Sequence, residues 1–309
     1  MGRWSKLFPR LSDTLLSDRR FQLHSEEISM ETPIERVEIL RQEVARFKER
    51  VANLAPQDRE LPSACDGWTV ADVVAHLVGQ AFPLTVSRGL QGDYSPPPGA
   101  PAVTAHNEDD FARNIFQRAF NTRAEVGDRL LEALAERLDE SVTVFEGVGH
   151  EQWDNLCYWP PGPETVRVML DMRISELSMH AWDVCSRFDS DYRLSDGAVR
   201  VLMDTVPRAV RRAFRPDPSL SAPVIFRFAI DAPVVALYDL VFTPEGAVLQ
   251  QPQDPKTTQA DVAFRCDGET YVMVMYGRTA PDAAIASGRL LWEGDDVLAL
   301  GFGRRFLGG

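Results

Sequence analysis

The chain runs to 309 residues, more than one domain usually holds, and a 44% hydrophobic share is ample for a buried core. A formal charge of -13 and a pI near 4.9 argue against nucleic acid or an anionic membrane as partners, because both require a concentrated positive field. No apolar run reads as long enough to span a bilayer and the first thirty residues lack a secretory core, so a soluble, cytoplasmic protein is expected.

Residues 1–30 mix Arg3, Lys6, Arg10, Arg19 and Arg20 with Asp13, Asp18, Glu26 and Glu27 without periodicity, and read as an N-terminal extension. After Pro33, the apolar residues Ile34, Val37, Leu40, Val44, Phe47, Val51 and Leu54 recur at intervals of three and four, which predicts a first helix over 33–54. Thr69 followed by Asp72 is an approximate capping box for a second helix, whose stripe is Val70, Val73, Val74 and Leu77. His76 falls on the edge of that stripe, where a buried imidazole must find a partner. Residues 89–101, with three consecutive prolines, predict an irregular crossing. Phe111 to Phe145 then sustain a long third helix, capped by Asn107 with Asp110. A fourth begins near Glu164 and carries Val166, Leu170, Ile174, Leu177, Ala181 and Val184 inside.

Four amphipathic helices of this length predict a bundle, whose sites are commonly built from side chains projecting inward. The character changes after Pro207. Short strands are expected at 224–230, 235–242, 247–251 and 261–265. Helices follow at 268–276 and 280–287, then a strand at 289–292 and a last helix at 295–305. The domain reading is an extension at 1–30, a helical bundle at 31–207 and a smaller α+β domain at 208–309.

The chemistry concentrates on the fourth helix. Glu176 and His180 are four apart and so share a helical face, one turn from each other. They form a metal-ligand pair lacking a third member, and His76 is the best candidate. Three N and O ligands leave a fourth position open, the ordinary layout of a catalytic zinc site. A lone histidine on an apolar edge is more often a hydrogen-bonded core residue, so the case rests on the trio. Asp183 and Arg173, each one turn from a ligand, are placed either to orient the imidazole and the carboxylate or to form plain ion pairs. The helix lacks the paired histidines of zinc proteases, which argues against peptide hydrolysis. The four cysteines, Cys65, Cys157, Cys185 and Cys266, form no Cys-x-x-Cys pair and read as free thiols. His24, His106 and His150 read as solvated, and Trp68, Trp153 and Trp182 as core or as the wall of a pocket above the metal.

Gly67-Trp68-Thr69-Val70 leading to His76-Leu77, then Pro161-Gly162, then Arg173-x-x-Glu176-x-x-x-His180-Ala181-Trp182-Asp183-Val184, resembles the mycothiol-dependent maleylpyruvate isomerase family. The tail, with Ala260-Asp261-Val262, Tyr276-Gly277-Arg278, 283–289 and Glu293-Gly294-Asp295, resembles the sterol-carrier-type domain that often follows. The resemblance implies a DinB-like four-helix bundle with zinc or another divalent metal on His76, Glu176 and His180, followed by an α+β sterol-carrier-like domain. It further implies mycothiol as a thiol cosubstrate, and Arg278 as a catalytic residue facing an anionic substrate. A Gly-Arg helix ending that caps nearby carbonyls is the alternative for Arg278.

The first functional expectation is a zinc-dependent thiol transferase that presents mycothiol, or a similar small thiol, as a thiolate to an electrophilic small molecule. The second is a mycothiol-dependent isomerase of a maleylpyruvate-type unsaturated acid, in which the thiol adds and later leaves. The third, of another class, is a non-catalytic small-molecule-binding or regulatory protein.

Overall fold

The computed structural model describes residues 32–98, 100, 108–213, 215, 220, 222–244, 246–252 and 259–306. The N-terminal extension, His24, His106 and the Asn107–Asp110 cap lie outside what can be described. Contacts divide the chain into two compact units that part between Val201 and Leu202.

In the first unit, α1 (Pro33–Val51) starts with proline and a complete Thr32–Glu35 capping box. Helix α2 (Val70–Val78) starts with the expected Thr69–Asp72 box. A helix that the sequence reading passed over, α3 (Phe82–Leu90), follows at once. The long third helix is corrected to two: α4 (Glu108–Val126) and α5 (Leu130–Glu146), separated by a tight turn at Gly127–Arg129. Gly127 has φ +51°, a left-handed conformation costly for a side chain, and that breaks the helix although the apolar stripe runs on through it. A two-stranded ribbon, β1 (Leu156–Cys157) against β2 (Glu164–Thr165), then delivers the chain to α6 (Val166–Cys185), capped by Thr165.

Helices α1, α6, α2 and α5 pack in a closed ring, each touching the next, and α4 lies against α2. Their shared core includes Leu40, Phe47, Val73, Leu77, Leu138, Phe145, Leu170, Ile174 and Leu177. Helix α6 is enclosed on most sides, so it has little amphipathic character and buries Arg173, Ser175, Ser178 and Asp183 beside its apolar residues. Such buried polar groups need partners, and two of them serve the site described below. By length and composition Val70–Leu90 is apolar enough to cross a membrane, which corrects the expectation that no segment is. The stretch is broken between α2 and α3 and mostly buried, as core helices are.

Helix α7 (Asp196–Ala213) begins in the first unit and continues into the second. The second unit holds a sheet of order β5-β4-β3-β6-β7. Its strands are β3 (Val224–Ile230), β4 (Ala236–Phe242), β5 (Ala247–Gln250), β6 (Val262–Cys266) and β7 (Leu291–Gly294). Among the described residues only the β3–β6 pair is parallel. The helices are α8 (Gly268–Met275), α9 (Pro281–Ala286), α10 (Asp296–Leu300) and α11 (Phe302–Arg305), so the single last helix of the sequence reading is interrupted at Gly301. Phe226 and Phe228, two apart on β3, share a face with Phe242 and Phe264, and all four rings meet Phe302 of α11. The fold is thus the expected pairing of a helical bundle with an α+β part.

Candidate metal centre

His76 stands in the last turn of α2, and Glu176 and His180 one turn apart on α6. The packing of α2 against α6 brings His76 Nε2 to 3.2 Å from Glu176 Oε2, and His180 Nε2 to 3.5 Å from the same oxygen. One donor atom from each residue lies within 4.8 Å of the others, and the two imidazole rings meet edge-on with centroids 4.8 Å apart.

Asp183, fully buried, lies with Oδ2 at 2.9 Å from His180 Nδ1. A carboxylate only accepts, so Nδ1 carries the proton and Nε2 is the nitrogen turned toward Glu176. Arg173 does not bond Glu176, as one reading of the spacing had it. Its guanidinium is completely buried and donates through Nη1 to Oε1 of Gln80, in the α2–α3 connection. With its oxygen so engaged, the Gln80 amide turns its NH2 group to the site, 3.0 Å from His76 Nε2 and 2.6 Å from Glu176 Oε2.

Burial by itself would raise the Glu176 pKa, but His180 and His76 beside it outweigh that effect and hold the carboxylate well below its usual range. Burial pushes His76 below the ordinary histidine value against the pull of Glu176, which favours the neutral ring. Burial opposes protonation of His180 too, yet Asp183 and Glu176 lift it to about 9. The Glu176 side chain is hemmed in by these partners while 40% of its surface still meets solvent, so the cluster has an open side.

The donor set suits a divalent cation. His76 Nε2 cannot both accept from Gln80 and donate to Glu176, so one of its two short contacts always faces a group of the same kind. A cation among these lone pairs would satisfy all three residues together. Two imidazoles and one carboxylate match zinc, and the Asp183–His180 pair matches the carboxylate that commonly orients a ligating histidine.

The walls are set by packing across α2 and α4. Trp68 meets His76 edge-on at 5.4 Å and Phe116 at 5.6 Å. Trp153 and Trp182 belong to the bundle core, and His150 is exposed. Gly79 lets α4 approach closely: a Cβ there would stand 2.8 Å from Thr122 Oγ1 and 3.4 Å from Arg118 Cγ. The Arg118 guanidinium makes no hydrogen bond or ion pair among the described residues. Its pKa is lowered by partial burial, an effect that the charges of Tyr158 and Glu176 only partly offset, while the residue keeps an exposed surface, so it is a solvent-facing cation electrostatically coupled to the cluster. Sequence reading missed Gln80, Arg118 and Tyr158. Gln80 carried a signal, four residues beyond His76; Arg118 and Tyr158 carried none, because only tertiary packing brings α4 to this place. Arg278 lies in the second unit, where its Nη1 donates to the Tyr276 carbonyl, the capping contact considered from sequence.

The bundle of four helices thus carries a two-histidine, one-glutamate donor set on α2 and α6. The family model described as the mycothiol maleylpyruvate isomerase N-terminal domain matches residues 40–185, which contain the whole donor set. Crystal structures of a mycothiol-dependent maleylpyruvate isomerase share the fold. A histidine-to-alanine mutant aligns with TM-score 0.58 and 14% identity over 85% of this chain and 93% of its own. A second structure of a mycothiol-dependent maleylpyruvate isomerase aligns with TM-score 0.54 and 15% identity over 81% and 90%. No curated protein matches the chain.

Proposed function

We propose that this chain is a cation-dependent enzyme that uses mycothiol, or a similar small thiol, to isomerise a conjugated unsaturated acid of the maleylpyruvate type. The comparisons favour this reading over the S-transfer that the sequence put first, since the matched family and both aligned structures carry the isomerase name. The observation that carries the proposal is the convergence of His76, Glu176 and His180 within 4.8 Å inside the family segment.

In this reading His76 and His180 contribute Nε2 and Glu176 a carboxylate oxygen to a divalent cation, zinc by the chemistry of the donors. When bound, the cation would favour thiolate over thiol, and thiolate is the reactive nucleophile. The three buried cysteines are poor sources of that sulfur: burial pushes Cys157 and Cys185 up to about 11, and Cys266 higher still. His180 gives up its Nε2 proton when the site fills, and Asp183 keeps the ring turned toward Glu176. Arg118 supplies a positive charge for a substrate carboxylate, beside the wall made by Trp68 and Phe116. An isomerase returns the thiol unchanged, because the C–S bond formed on addition to the double bond breaks again after rotation. Arg278 enters the proposal as a second cation for an anionic substrate, on the resemblance alone.

The test combines elemental analysis of the purified protein with a maleylpyruvate isomerisation assay, with and without mycothiol. About one divalent cation per chain, activity that requires the thiol, and loss of both in His76→Ala and Glu176→Gln are expected. Protein without a bound cation, or a rate indifferent to the thiol, overturns the reading. Accumulation of a stable thiol adduct in place of isomer would restore S-transfer.

A further inference from the structure

The Gln80 amide is bound on both sides in a way that fixes its role. Arg173 is 0% exposed, and among the described residues its Nε and Nη2 have no hydrogen-bond partner and its one bond is from Nη1 to Gln80 Oε1. Turning the amide over would set its NH2 group against a buried guanidinium, donor against donor, so the orientation is locked. The amide therefore cannot offer its oxygen to the cluster. What it offers is two N–H bonds, at 3.0 Å from His76 Nε2 and 2.6 Å from Glu176 Oε2, the atoms through which these residues would hold a cation.

We propose that Gln80, locked by Arg173, is a built-in surrogate for the cation: in the cation-free protein its NH2 group caps the ligand atoms of His76 and Glu176, and an incoming cation must displace it. The inference rests on the metal reading above. Its consequence is a site kept in order while empty and filled less tightly than the three ligands alone would allow, because part of the coordination energy replaces hydrogen bonds already made. An ordinary supporting residue behaves oppositely, since its loss weakens metal binding, typically ten- to a hundredfold.

The opposite signs make the test decisive. Gln80→Met keeps the length of the side chain and removes the NH2 donor. Gln80→Glu keeps an acceptor for Arg173 and turns a second acceptor toward the ligands. Zinc affinity is measured by competition with a chromophoric chelator, and melting temperature is recorded with and without zinc. Both variants are expected to melt lower than wild type when cation-free, to bind zinc about tenfold more tightly or better, and to gain more in melting temperature on zinc addition. Gln80→Glu should show the larger effect. Affinity in Gln80→Met equal to or below wild type overturns the inference while the metal reading stands. A flat zinc isotherm in wild type overturns both, and that signature separates the two failures. If Gln80→Met does not fold without zinc, folding on zinc addition supports the inference, and failure to fold with zinc in both variants overturns it.

Discussion

Asp183 Oδ2 lies 2.9 Å from His180 Nδ1, and this contact settles which nitrogen of His180 faces Glu176. Asp183 is fully buried, and its backbone carbonyl accepts from Ala64 N, so the loop ahead of α2 is tied to the same turn of α6. Asp183→Asn keeps the shape and removes the charge that makes the ring a strong donor. We expect zinc affinity about ten- to a hundredfold weaker, read by chelator competition, with the fold intact by circular dichroism.

The two histidines give the cation-free protein opposing pH dependences. His180 is raised from 6.5 to about 9, so its contribution to stability is complete below 6.5 and is lost as pH rises through about 9. His76 is lowered, so its contribution is complete above 6.5 and is lost as pH falls toward its depressed pKa. The expected profile of melting temperature against pH, recorded with chelator, peaks near neutrality and falls on both sides. Zinc binding below pH 9 should release a proton from His180, detectable by calorimetry in buffers of different ionisation enthalpy. Binding with no proton release at pH 7 would contradict the assignment.

Arg118 has no carboxylate partner among the described residues and shares its field with Glu176 and Tyr158. Arg118→Ala is expected to raise KM for a carboxylate-bearing substrate at least tenfold, with a much smaller effect on an ester of the same acid. Zinc affinity should hold or rise, because a like charge beside the cation has gone. Steady-state kinetics on the acid and ester pair, together with the chelator assay, check both halves.

Phe302 joins the rings of Phe226, Phe228, Phe242 and Phe264 and is completely buried. Phe302→Ala should destabilise the second unit by about 3–5 kcal/mol, measured as a shifted denaturant midpoint. Zinc content of the first unit's site should be unchanged.

Most of the architecture was legible in the sequence because it depends on local pattern. The apolar repeat after Pro33 and the Thr69–Asp72 box announce α1 and α2, and the α+β character after Pro207 shows in β-branched and aromatic enrichment. Two errors have a common cause. The stripe from Phe111 to Phe145 satisfies a helix throughout, yet one glycine at positive φ divides it. Val70–Leu90 is nearly all apolar because two separate helices are buried there, a fact about packing that composition does not express.

The sequence by itself determined the donor pair on α6: Glu176 and His180 share a face at 3.6 residues per turn whatever surrounds them. The motifs around them, with His76, pointed to the family whose model matches residues 40–185. Only the tertiary structure decided the rest. The packing of α2 on α6 closes His76 onto Glu176, and the approach of α4 over Gly79 sets Arg118 beside them. A completely buried Arg173 turns the Gln80 amide so that its hydrogens, and not its oxygen, meet His76 and Glu176. Those relationships join residues about a hundred positions apart or on different helices, and they follow from the packing of whole helices, which no local pattern encodes.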